Sequence, residues 1–90
     1  MLQKSIVIAN RDGLDAKSAA QLVQVACRYR AQILMEQGNK IINAKSMMGV
    51  LSLGAGARRE ILLSVNGVDE QEAMQAVTTL LQTDRTQEKK

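Results

Sequence analysis

Apolar and polar positions change rhythm repeatedly along this chain, and each change marks an element. Gln3 to Ala9 is a compact, β-branched run closed by Asn10-Arg11-Asp12-Gly13, which predicts a buried strand and a turn. Apolar residues then recur at Ala19, Leu22, Val23, Ala26 and Cys27. Spacings of three and four predict a helix over Ala16 to Tyr29, with Asp15 as its N-cap and Cys27 as a small apolar filler on its buried stripe. Gln32 to Glu36 and Lys40 to Asn43 read as two strands, and Gln37-Gly38-Asn39 turns one back on the other. Met47 to Leu53 is a short helix stopped by Gly54 and Gly56. Glu60 to Val65 is a fourth strand ending at Asn66-Gly67. Asp69 then caps a last helix, with Glu72 at the third helical position completing a capping-box-like pair. Its buried stripe is expected at Ala73, Val77, Leu80 and Leu81.

The resulting order is βαββαβα. It does not alternate as a parallel sheet requires, and the central hairpin demands antiparallel pairing. Helices on one face of a four-stranded antiparallel sheet give an α+β, open-faced two-layer sandwich with the other sheet face in solvent. The folded domain is expected over residues 1–83. The charged tail, residues 84–90, has no apolar anchor and is expected to fray.

Composition narrows the chemistry. Ninety residues make one small domain, in which folding removes roughly 63% of the open chain's surface from water. The chain has no His, so imidazole acid/base chemistry and His metal ligation are absent. One Cys excludes an intrachain disulfide and a Cys-rich metal site, and a lone, buried Cys27 agrees with a reducing compartment. Tyr29 is the single aromatic residue, which leaves little for nucleic-acid stacking. The net charge of +3 is spread along the chain apart from Arg58-Arg59 and Lys89-Lys90, so no basic face for direct nucleic-acid contact is expected. No apolar run is long enough to span a bilayer, and the first residues lack a signal-peptide pattern. The default location is the cytoplasm. No cofactor and no metal site are expected.

Two segments carry a resemblance. Gly13-Leu14-Asp15-Ala16-Lys17-Ser18-Ala19-Ala20-Gln21-Leu22-Val23 and Asn43-Ala44-Lys45-Ser46-Met47-Met48-Gly49-Val50-Leu51-Ser52-Leu53-Gly54 strongly resemble HPr, the phosphocarrier of the bacterial sugar phosphotransferase system. Val68-Asp69-Glu70-Gln71-Glu72-Ala73 resembles the start of that family's last helix, and the likeness runs from about Lys4 to Thr83. In HPr the phosphoryl group rides on a His followed by Ala-Arg-Pro. This chain has Asp15-Ala16-Lys17-Ser18 there, so Arg has become Lys and Pro has become Ser. It is similar in this respect to the catabolite-repression HPr paralogue, which also lacks the His and keeps a regulatory serine. Ser46 stands at that serine's position.

Each singled-out residue has a plain reading beside the functional one. Ser46 is an N-cap for the short helix, and the resemblance makes it a regulatory phosphorylation site. The two agree, because orphan amides and the helix dipole also favour a phosphate. Lys45 adds a nearby cation. Asp15 is an N-cap; an aspartyl phosphate there would want a metal held by several carboxylates, and a fixed charge imitating a phosphorylated carrier is the third reading. Lys17 pairs with Asp15 or is simply solvated, or meets an acidic partner surface, and it lacks the planar fork of Arg. Ala20 joins Asp15 and Lys17 as a partner contact by resemblance. Met47, Met48 and Gly49 belong to an apolar docking patch beside the serine in the family, while Met47 and Met48 also suit a core. Leu53 is mainly core. Gly54-Ala55-Gly56 is a helix stop and not a nucleotide loop, since it follows a helix and lacks a third Gly.

The resemblance implies a regulatory phosphoprotein rather than an enzyme. Its implied partners are HPr kinase/phosphorylase, acting on Ser46, and a LacI-type catabolite-control transcription factor, for which the phosphorylated form is corepressor. A phosphocarrier of the phosphotransferase system is the alternative, and an unphosphorylated docking module is a third. The chain is expected to be a monomer or a weak homodimer.

Overall fold

A computed structural model describes residues 1–8, 14–53 and 60–82. The elements run β1 (Leu2–Val7), α1 (Ala16–Ala26), β2 (Gln32–Gln37), β3 (Lys40–Asn43), α2 (Met47–Leu53), β4 (Glu60–Asn66) and α3 (Glu70–Gln82). This is the predicted βαββαβα order. The strands form one antiparallel sheet in the order β1-β4-β2-β3. β4 is central, and β1 and β3 are the edges.

Alternation decides which side of the sheet is covered. Ile6 on β1, Ile33 and Met35 on β2, and Ile61, Leu63 and Val65 on β4 are all buried, and these faces share one side. Residues between them, such as Glu36 and Leu62, face the open side. α3 packs on β1 and β4, α2 packs on β3, and α1 touches both other helices. Leu22 of α1, Val50 of α2 and Val77 of α3 are buried in the same core. The structure is therefore a two-layer α+β sandwich.

Several boundaries and burials differ from expectation. β1 is not buried throughout. Gln3, Ser5 and Val7 are exposed because the sheet is covered on one face only, and Lys4, in register with Leu63 on the covered face, is exposed as well. The strand ends at Val7, before a fully buried Ile8, and the turn proposed for residues 10–13 lies outside the described residues. α1 ends at Ala26, three residues early. The Cys27 amide still donates to Val23 O at 2.9 Å, but the next amides bond three residues back, Arg28 to Val25 O and Tyr29 to Ala26 O. The tightened turn leads the chain away and leaves Cys27 as the C-cap, exposed rather than buried. On α3, Met74 and Thr78 join Ala73, Val77 and Leu81 in the core, and Leu80 is only partly buried. The proposed stop at Gly54 and Gly56 and the tail lie outside the described residues.

The last helix starts differently from the predicted capping box. The Ala73 amide donates to the Asp69 carbonyl at 3.0 Å, so Asp69 does begin the helix. Its carboxylate looks elsewhere, accepting from the Arg30 amide (Oδ2, 2.9 Å) and the Ala31 amide (Oδ1, 2.9 Å). Glu70, not Glu72, reaches back, with Oε1 accepting from the Gly67 amide at 3.1 Å. Sequence spacing alone cannot distinguish these arrangements, since the α1–β2 turn that claims Asp69 is remote in the chain.

Candidate functional site at the start of α2

Asn43-Ala44-Lys45-Ser46 links the sheet edge to α2. The Ala44 amide donates to Ile33 O at 2.8 Å and Ala44 is fully buried, which anchors the link on β2. Asn43 Oδ1 accepts from the Lys45 amide at 2.9 Å, and the Ser46 amide donates to Asn43 O at 2.9 Å. This turn sets Ser46 as the N-cap of α2. Its Oγ accepts from the Gly49 amide at 3.1 Å, and its carbonyl accepts from the Val50 amide at 2.9 Å. The hydroxyl is half-buried.

Gly49 makes the site close-packed. A β-carbon there would lie 3.4 Å from Ile42 Cβ and from Ser46 Cβ and Oγ. The two methionines divide. Met47 packs against the core, whereas Met48 is 80% exposed. Leu51, 40% exposed, lies one turn along from Met48. Spacing of three puts them on one helix face, so periodicity places Leu51 in the patch although the family resemblance does not name it. Val50 and Leu53 are buried beneath.

Lys45 is not free beside Ser46. Its Nζ donates to the Tyr29 carbonyl at 2.7 Å, so its ammonium ties α2's leading turn to the end of α1. Cys27 Sγ lies 3.9 Å from Lys45 O at the same junction. Lys40 is likewise engaged, with Nζ donating to Ser52 O at 2.6 Å at the other end of α2.

Asp15 caps α1. Its Oδ1 accepts from the Ser18 amide at 2.9 Å, and this bond, ahead of the nearby Lys17 charge, holds its carboxyl below the ordinary 3.8. Asp15 and Lys17 are exposed and Ala20 is half-buried. Since Lys45 meets the C-terminal end of α1, Asp15 sits at the opposite end, about 16 Å away for an eleven-residue helix. Asp15, Lys17 and Ala20 thus form one cluster and Lys45 to Gly49 another. Among the described residues no hydrogen bond or ion pair joins Asp15 or Lys17 to Ser46, and no group of His, Cys, Asp and Glu could hold a metal. No described helix is long and apolar enough to cross a membrane.

Comparison with known proteins identifies the family and the fold. Residues 2–83 match the family model described as the PTS HPr component phosphorylation site. The chain is 41% identical over 81 residues to the phosphocarrier protein HPr of Cupriavidus necator, covering 90% of this chain and 91% of that one. It is 40% identical over 82 residues to the HPr-like protein Crh of Halalkalibacterium halodurans, covering 91% and 98%. Among solved structures, HPr-C-His of Thermoanaerobacter tengcongensis superposes with a TM-score of 0.91 at 40% identity, covering 99% and 100%. Crh of Bacillus subtilis, solved as a dimer with a swapping domain, gives 0.74 at 36% identity, covering 91% and 94%. With the sandwich, the capped serine helix and a matching sequence over nearly its whole length, this chain belongs to the HPr family.

Proposed function

We propose that this protein is a regulatory phosphoprotein of carbon catabolite control, phosphorylated on Ser46, and not an enzyme. HPr kinase/phosphorylase would transfer the γ-phosphoryl group of ATP. The Ser46 Oγ–P bond forms, the bond to ADP breaks, and the hydroxyl proton goes to a base on the kinase. The modified protein would act in the cytoplasm as corepressor for a LacI-type catabolite-control regulator. The carrying observation is the site itself. Ser46 offers a half-buried capping hydroxyl at a dipole end that favours an anion, beside exposed Met48 and Leu51. A regulator with an Arg beside an apolar pocket would match that surface once phosphate is added. Residues 1–83 would form the functional domain, and residues 84–90 a tail.

Treatment with ATP and the kinase should add one phosphate, found at Ser46 by mass spectrometry and lost in Ser46→Ala. Label at Ser5, Ser18 or Ser52, or none, would overturn the reading. The second reading, a phosphocarrier, is favoured by likeness to the Cupriavidus protein. It is opposed by the absence of any imidazole in the chain. Phosphoenolpyruvate with the general phosphotransferase enzyme should leave this protein unlabelled. Stoichiometric label that disappears in Asp15→Ala would instead establish an acyl phosphate.

For oligomeric state we propose a monomer or weak homodimer. The swapped Crh dimer and the edge position of β1 support the dimeric form. A mass of one chain at all concentrations by light scattering would leave the monomer alone.

A further inference from the structure

Two residues from remote parts of the chain hold the turn between α1 and β2. Lys45 Nζ takes the Tyr29 carbonyl at 2.7 Å, and the Asp69 carboxylate takes the Arg30 and Ala31 amides at 2.9 Å each. Arg28 and Arg30 are both exposed on this turn, and neither guanidinium makes an ion pair among the described residues. Lys45 immediately precedes Ser46. Lys40 is held at the far end of α2, on Ser52 O.

We infer that Lys45 is a transferable tie: a phosphate on Ser46 draws its ammonium from the Tyr29 carbonyl and so loosens the arginine-bearing turn between α1 and β2. This rests on the phosphorylation reading above. The competition is between the neutral Tyr29 carbonyl, with the Asp69 carboxylate close enough to feel the Lys45 charge, and a group carrying about −1.5 to −2 charges with three acceptor oxygens. The ammonium assists a hydrogen bond to either acceptor, but only the phosphate meets it with a full opposite charge on the adjacent residue. The phosphate therefore wins an ammonium on a flexible four-carbon stem one residue away. Asp69 still accepts from the two amides in the closed turn, but with one of its two ties gone the turn opens more often, while the fold survives. The modification would reach a partner twice, as charge beside Met48 and as new freedom for Arg28 and Arg30.

The test installs phosphoserine at position 46 during synthesis, which makes it independent of any kinase. Amide hydrogen exchange at Arg30 and Ala31 is measured by NMR in the full chain, with and without the phosphate. Exchange should quicken about fivefold, the equilibrium equivalent of one net hydrogen bond. Lys45→Met should already exchange faster without phosphate and show no further change with it. Lys45→Arg should restore the response. Unchanged exchange in phosphorylated wild-type protein, or equal acceleration in Lys45→Met, overturns the inference. A kinase that ignores Ser46 would refute the proposed function while leaving this coupling result standing.

Discussion

At the residue scale, Ser46→Ala removes the oxygen that holds the Gly49 amide. It should cost about 1 kcal/mol, read as a lower urea midpoint at unchanged slope. Gly49→Ala should do the opposite. A methyl at ordinary contact distance from Ile42 and Ser46 is accommodated, and replacing a mid-helix Gly stabilises by roughly 0.5–1 kcal/mol. The same methyl stands 3.4 Å from Ser46 Oγ and crowds an incoming phosphoryl group, so a variant that melts higher should be phosphorylated more slowly. Asp69 gives a pH signature. The amide of Arg30 first, then that of Ala31 and the charge of Lys45, hold its carboxyl below the ordinary 3.8 against the opposing effect of desolvation. Its folded pKa lies under the unfolded one. The stabilisation is therefore complete above 3.8 and is lost as pH falls through the folded value. Asp15 behaves alike through the Ser18 amide. Thermal melts taken downward from pH 5 should decline less steeply in Asp69→Asn than in wild type.

At the element scale, the periodicity places every helix and strand but not how each ends. The 3-and-4 spacing of α1 runs on through Cys27, yet the chain turns there because the following amides bond three residues back. A maleimide should therefore label Cys27 in the folded protein, whereas a buried thiol would need denaturant. Asp15 and Ser46 were legible as caps because a short polar side chain before an apolar run announces one. The tie from Lys45 to Tyr29 was not, since it joins residues sixteen apart with the whole β2–β3 hairpin between them. The start of α1 also bears on carrier chemistry. Asp15→His alone should relay phosphate poorly, and the triple change Asp15→His, Lys17→Arg, Ser18→Pro should do better. Arg adds a planar fork, and Pro's fixed φ stiffens the first turn. Equal relay rates for the two variants would show that neither neighbour matters.

At the scale of the whole molecule, alternation along each strand gives its buried face but not its neighbours, so the order β1-β4-β2-β3 had to come from the structure. One long-range contact is especially unforgiving. A β-carbon on Gly67 would lie 2.5 Å from the Ala31 Cα, against backbone that cannot swing aside. Gly67→Ala should cost roughly 1–3 kcal/mol by overpacking, measured by chemical denaturation. The central place of β4 has a further consequence for how the protein comes into being. A ribosome releases β1 and the β2–β3 hairpin first, and neither has its neighbour until residues 60–66 emerge. The nascent chain must carry unpaired strand edges and uncovered apolar side chains for more than half its synthesis. The sheet then closes from the middle outward once β4 arrives, and a chain halted before Glu60 is a natural client for a chaperone.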